Sequence, residues 1–405
     1  ADLPAEYSSD DCEDFRPHLI VPGFIDCHIH FPQGQVVASY AGSLLEWLNT
    51  YTFVEEQKYG DPDFAEAMAG RFLDMLLAHM PLSDKPFMGS VTEPSRAQDS
   101  VDMCKILFGE EFVQQNTVMT SLININSPMT FDDTMMGALE VYAANNQACI
   151  ISPFIVGGAM APVSVAGTLT QVMAECLAGI AYSQIVRPGA PVIMGAFVTS
   201  IDMNSGAPTF GTPEAAHITY GAGQLARRMN LPFRSSGSFC GSKLPDAQAA
   251  YETANSLNMG LLSGVNFMLH ACGWLEGGLC ASFEKFVIDC EMLQQLAYYH
   301  QPVGVTEADL AVDAIRDVGP TGHFLGSAHT QERYKTAFYS PFLSDWSNFE
   351  NWEEGGAVET PQRANRIFKQ MLEHYQPPPM APATLEALTE FVERRRAEGG
   401  APTDF

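Results

Sequence analysis

Basic residues are scarce in this chain. Only 21 Lys and Arg stand against 48 Asp and Glu in 405 residues, a formal net charge of −27. That deficit excludes the basic surface that nucleic acid or an anionic membrane selects. It suits a cationic ligand or a basic partner, although solubility alone also accounts for it. Paired cysteine motifs are missing too: none of the nine Cys forms a CxxC or a metal-finger spacing. Several sit inside apolar runs, which reads as reduced core thiols in a cytoplasmic protein. No leader-like segment and no uninterrupted apolar run of bilayer length is evident, so no membrane role is expected. Charged residues make up just 17% while 46% are hydrophobic, enough to fill a large core. A chain of this length holds one large barrel with additions, or two domains.

Residues 1–19 are acidic and aperiodic, a loose arm or a peripheral strand. The apolar run from Leu19 then ends in Asp26-Cys27-His28-Ile29-His30. Alternate strand residues share a face, so His28 and His30 are able to ligate one metal ion together. With Pro22-Gly23-Phe24-Ile25 before it and Phe31-Pro32-Gln33 after it, this stretch resembles the first barrel strand of zinc amidohydrolases, guanine deaminase in particular. The likeness covers about residues 1–80. No later histidine stands in a matching motif, and two imidazoles alone hold zinc poorly. His270, near a strand end, reads as a buried or hydrogen-bonded histidine.

From about Pro81 a repeat takes over: a β-prone run, a polar corner, a residue-proline pair and an amphipathic helix. The runs are 87–91, 118–125, 149–155, 192–199 and 233–239, and the pairs are Glu93-Pro94, Ser127-Pro128, Ala161-Pro162, Thr212-Pro213 and Leu244-Pro245. Proline suits the first helical position, where its missing N–H has no intrahelical partner, so each pair predicts a helix start. Successive prolines lie roughly 34, 34, 51 and 32 residues apart, the length of a βα unit in a parallel sheet. With the 19–30 and 265–269 strands the count is seven, one short of a closed barrel. The expected fold class is therefore α/β, a TIM-type (β/α) barrel, irregular or incomplete near residues 79–85. Three segments are expected: 1–80, a barrel over 81–300, and a helical, aromatic-rich extension over 301–405. Gly221-Ala222-Gly223 fits a dinucleotide pattern but falls inside a helix, where small residues permit close packing instead.

The stretch 264–289 organises the rest. A strand ends at a glycine-flanked corner holding Trp274 and Glu276, and a helix resumes near Ala281. Residues 81–376 resemble the trimethylamine methyltransferase family, whose corrinoid-dependent members demethylate methylated amines and betaines. The likeness rests on Leu82-Ser83-Asp84-Lys85-Pro86-Phe87, Asn126-Ser127-Pro128-Met129, Pro245-Asp246-Ala247-Gln248-Ala249, Gly273-Trp274-Leu275-Glu276-Gly277-Gly278 and Gly322-His323-Phe324-Leu325-Gly326. Founding members read pyrrolysine just after the Leu-Glu of the corner, and Gly277 stands there. The resemblance thus implies the non-pyrrolysine branch, acting on quaternary amines such as glycine betaine. It also implies a corrinoid (cobalamin) carried by a partner protein. Zinc enters only with the amidohydrolase alternative, and a non-catalytic fusion that binds a cationic small molecule is a third reading. No residue is assigned to cofactor binding, and a homo-oligomer is left open.

A quaternary cation has no N–H to donate, so aromatic faces and carboxylates must hold it. Strand-end position and the resemblance nominate Glu276 as the catalytic residue. The same two grounds nominate Trp274, Phe197, Asp202, Glu93, Asn124, Asn126 and Phe154 for the substrate, with Phe239 among the aromatic candidates. Should the substrate carry a carboxylate, Asn124, Asn126, Ser236 or a helix N-terminus would receive it.

Overall fold

The computed structural model describes residues 76–398. The expected metal ligands His28 and His30 lie outside them. Within them, runs rich in Ile, Val and Phe form parallel strands that neighbour one another in chain order: β1 (Thr120–Ile125), β2 (Ala148–Gly157), β3 (Val192–Gly195) continuing as β4 (Phe197–Ile201), β6 (Phe233–Ser236) and β7 (Phe267–Leu269). Met88 adds a parallel bridge to Thr120 at the first edge. A short β5 (Pro208–Thr209) turns back antiparallel on β4. Helices α1 (Pro94–Phe108), α2 (Glu110–Gln115), α3 (Asp133–Ala144), α4 (Val165–Val186), α5 (Pro213–Arg228), α6 (Ala247–Leu262) and α7 (Phe283–Tyr299) fill the connections. The result is a mixed α/β architecture with a parallel sheet.

Both faces of the sheet are covered, so the strands read as nearly continuous apolar runs. Alternation along β2 separates the faces. Cys149, Ile151 and Ile155 pack outward with the helices, while Ile150 joins Met88, Leu122, Ile193, Phe267 and Leu269 in one inner cluster. That cluster gathers side chains from Met88 at the first edge to Leu269 of β7, so the sheet curls around it. The strand-to-helix loops all leave from the same end of the parallel strands.

The expected helix starts hold at Pro94 and Pro213, both first-turn prolines. They fail at Pro128, Pro162 and Pro245, where α3, α4 and α6 begin a few residues later. Asp132, Ser164 and Asp246 accept hydrogen bonds from the Met135, Gly167 and Ala249 amides and cap those helices instead. A side-chain cap satisfies an orphan N–H that proline merely avoids having, so the cap sets the boundary. The Trp274 corner is also more regular than a loop: β8 (Trp274–Leu275) pairs antiparallel with β9 (Cys280–Ala281). Ser282 then caps α7.

Gly223 lies within α5 as expected, against the Ser263 carbonyl with no room for a Cβ. Helix α4 alone among the described helices is long and apolar enough to cross a membrane by length and composition. Its Val172 and Cys176 pack into the core beside the sheet, and its buried Glu175 accepts hydrogen bonds from Ser127 and the Met129 amide. Beyond α7 the chain is mostly exposed to about residue 340. It is tied back by Glu291, whose carboxylate accepts from the Tyr339 hydroxyl and the Phe342 and Leu343 amides. Helix α8 (Thr360–Glu373) rests on α7 through Asn365–Glu284 and Phe368–Phe283, and α9 (Pro382–Ala397) packs against α1.

Candidate active site

The inner face is layered along the strands. Cross-strand register on this face aligns Asn124 with Ser152, Gly195 with Arg234, and Arg234 with Phe267 of the apolar cluster. Gly195 has a specific role in that row: a Cβ there would meet the Ser152 Cβ at 2.4 Å. Its absence lets the Arg234 guanidinium cross to Ser152, with Nη1 donating to Oγ at 3.1 Å. Nη2 lies 3.2 Å from His270 Nδ1. Arginine has no acceptor, so Nδ1 must accept, which leaves the imidazole proton on Nε2.

Arg234 is 1% exposed, and among the described residues no carboxylate forms an ion pair with it. Its Nε and the nearby Ser236 hydroxyl are buried without a hydrogen-bond partner among the described residues. Burial lowers the guanidinium pKa to about 9, because desolvation penalises the charged form. A buried cation without an anion is costly unless something completes it.

Aromatic rings lie over this polar row. The register that pairs Phe154 with Phe197 stacks their rings at 5.2 Å. Phe239 is 4.9 Å from Phe197, 5.2 Å from Phe210 and 5.6 Å from Trp274, and His270 contacts Phe197, Phe239 and Trp274 edgewise or tilted. The Arg234 guanidinium sits 5.5 Å from the Phe197 centroid. Polar floor and aromatic wall therefore share residues. An anion accepted below and a cation held by ring faces above would belong to one small zwitterion.

The expected site residues separate accordingly. Phe154, Phe197, Phe239 and Trp274 come together in this cluster, with Asn124 on the adjoining inner row. Glu276 is half-buried at the same corner, with φ of 49° and its amide bonded to the Ser242 carbonyl. Asn126 is exposed and forms a backbone bridge with Thr130. Glu93 is engaged as the cap of α1, its carboxylate accepting from the Ser95 and Arg96 amides. Asp202 folds onto its own surface turn, where the Ser205 hydroxyl and the Asn204 and Ser205 amides hold its carboxyl below the usual range. Both carboxylates already have their donors.

His28 and His30 lie outside the described residues. Among the described residues, no group of three or more His, Cys, Asp or Glu is placed to hold a metal ion.

Sequence reasoning missed Arg234 and Phe210. An arginine in the polar row of a strand was the available signal for the first. The second was screened by its position beyond a turn. Phe210 reaches the corner because nothing else stands there: a Cβ on Gly277, itself at φ of 66°, would lie 2.8 Å from the Phe210 ring. The residue type at position 277 and the placement of Phe210 are thus one decision.

A scan of protein families matches residues 64–400 to the family described as trimethylamine methyltransferase (MTTB). Among curated proteins, the chain is 41% identical over 331 residues to a glycine betaine methyltransferase of Desulfitobacterium hafniense strain Y51, covering 82% of this chain and 69% of that protein. It is 35% identical over 243 residues to the trimethylamine methyltransferase MttB of Desulfitobacterium hafniense strain DSM 10664 / DCB-2, covering 60% and 49%. With the trimethylamine methyltransferase MttB2 of Methanosarcina mazei it shares 28% over 295 residues, covering 72% and 59%. The chain thus spans between 49% and 69% of the length of these relatives.

Proposed function

The chain belongs to the trimethylamine methyltransferase family, and from that premise we propose that it transfers a methyl group from a betaine-type quaternary amine, with glycine betaine as the model donor. The acceptor is the cobalt of a corrinoid carried by a separate protein. The observation that carries the choice of donor is Arg234: a buried guanidinium without a carboxylate partner among the described residues, beneath a wall of aromatic rings. Trimethylamine would leave that cation unanswered, whereas a betaine supplies the anion and the trimethylammonium in one molecule.

In this reading the substrate carboxylate takes the free N–H groups of Arg234 and the Ser236 hydroxyl. His270 holds the guanidinium in its plane, and Asn124 adjoins. The trimethylammonium meets Phe197, Phe239 and Trp274, each desolvated ring contributing up to roughly 2 kcal/mol. A reduced corrinoid supplies the nucleophile. The broken C–N bond leaves its electron pair on nitrogen, and the donor departs as a neutral tertiary amine. No proton has to move, so the chain's work is alignment and exclusion of water. Glu276, at the corner beside the rings, adds negative charge that favours the cation while it is bound.

The rim fits a docked partner. Four strand-end loops each present an exposed apolar side chain, Met129, Val163, Met203 and Leu244. The same reading takes the described strands as part of a (β/α) barrel.

The test is methyl transfer to cob(I)alamin, free and protein-bound, from glycine betaine, choline and trimethylamine. Transfer from betaine with formation of dimethylglycine is expected, with little from the donors that lack a carboxylate. Tight betaine binding without any transfer would favour a non-catalytic binder.

A further inference from the structure

Helix α7 carries a buried ion pair that the chemistry above does not use. Lys285 and Asp289 are each 1% exposed, with Nζ and Oδ2 2.6 Å apart one turn along the helix. A buried pair is a poor source of stability, because desolvating both charges offsets their attraction. What distinguishes this one is where its other hydrogen bonds land. Lys285 Nζ donates to the Ser238 carbonyl at 3.2 Å and to Thr253 Oγ1 of α6 at 2.8 Å, so all three ammonium protons are used. Asp289 Oδ2 accepts from the Gly273 amide at 2.8 Å. Ser238 immediately precedes Phe239, and Gly273 immediately precedes Trp274. Those two rings stack at 5.6 Å and form one wall of the aromatic cluster. The Ser238 amide also donates to the His270 carbonyl at 2.7 Å, which brings the strand-end histidine into the same network.

We propose that Lys285 and Asp289 are positioning residues, a single clamp that fixes the spacing of Phe239 and Trp274 and so sets the affinity for the quaternary ammonium group. This rests on the betaine reading given above. Two loops from different strands must present ring faces to one cation, and loops alone seldom hold a site within a fraction of an ångström. A rigid helix that grips the residue before each ring supplies that precision from behind, without touching the substrate. An apolar pair of similar volume would fill the space but leave the Gly273 amide without its acceptor. Close to the clamp lies Cys272, whose thiol is pushed up by its contact with Cys290 and by burial, the two sulfurs 3.8 Å apart. The Asp289 carboxyl is pushed up by burial and opposed mainly by Lys285.

The experiment is calorimetric titration of the full chain with glycine betaine, alongside melting temperatures. In Lys285→Met/Asp289→Asn no orphan charge remains, so the fold is kept while the grip on Ser238 is lost. A Kd raised about tenfold is expected, the weight of one displaced ring. The control is Glu291→Gln on the same helix, which loosens the anchor of the 339–344 segment. It is expected to lower the melting temperature and leave the Kd within about twofold. Should the double variant not fold, Thr253→Val is used, which removes one acceptor of the Lys285 ammonium and leaves both charges paired, with a Kd raised about threefold expected from the weakened hold on Lys285. An unchanged Kd in whichever clamp variant folds, or an equal loss in Glu291→Gln, overturns the clamp. Failure of the unaltered chain to bind betaine overturns the functional reading, and the clamp with it.

Discussion

Replacing Arg234 by methionine removes the one group that makes a carboxylate necessary. The guanidinium has five N–H donors, of which one goes to Ser152 and one to His270. Three remain, including the Nε that has no partner among the described residues, so a carboxylate could be held by two hydrogen bonds. A hydrogen bond to a charged group contributes about 1.5–3 kcal/mol. Losing both bonds, about 3–6 kcal/mol together, weakens betaine about 100- to 10,000-fold at 1.4 kcal/mol per factor of ten. Choline keeps the trimethylammonium and lacks the carboxylate. Its affinity should be unchanged or improved, since a buried positive charge below the rings no longer repels it. The fold should tolerate the change, because methionine fills similar volume and ends the desolvation of an unpaired cation. Parallel titrations of both ligands against both proteins measure the difference. If Arg234→Met binds betaine as well as the unaltered chain, or loses betaine and choline equally, the carboxylate assignment is wrong.

Three further outcomes follow from the same geometry. Betaine affinity should be flat from pH 6 to 8 and fall above the Arg234 pKa of about 9, reaching about a tenfold loss one unit higher, as titrations across that range would register. The sign for stability is opposite: the folded pKa lies below the unfolded one, so between them the unfolded chain holds the extra proton. In denaturation series, this group's contribution to stability should therefore increase with pH above about 9. Gly277→Ala combines φ of 66° with a Cβ 2.8 Å from Phe210, so it should cost about 1–3 kcal/mol of stability and displace the ring. A lower melting temperature with weaker betaine binding is the expected pair of results, and Phe210→Leu in the same chain should relieve part of both. Asp202→Asn should leave betaine affinity within about twofold, because that carboxylate is held by its own turn; a large loss on titration would return it to the site.

The repeat of strand, polar corner and helix was legible because it depends on local rules: β-prone runs, helical periodicity and proline after an extended residue. Boundaries were legible only where the same residue settled them alone, as at Pro94 and Pro213. At Pro128, Pro162 and Pro245 a nearby Asp or Ser made a better cap, and that competition is decided by which side chain reaches an orphan amide. Strand-end position nominated Phe154, Phe197, Phe239 and Trp274, since parallel strands in succession must deliver their trailing ends to one side. The same reasoning nominated Glu93 and Asp202. Position along the chain does not record whether a carboxylate already has its donors.

The sequence by itself determined the alternation that separates an inner from an outer face, the acidic balance, and the residue types at the corner, because each is a property of neighbouring residues. Tertiary structure alone decided that Gly195 makes room for Arg234, that Phe210 stands against Gly277, and that one ion pair on α7 grips the backbone beside two rings. These contacts join residues tens of positions apart, and side-chain volume and hydrogen-bond partnership at that range exist only once the strands are in register.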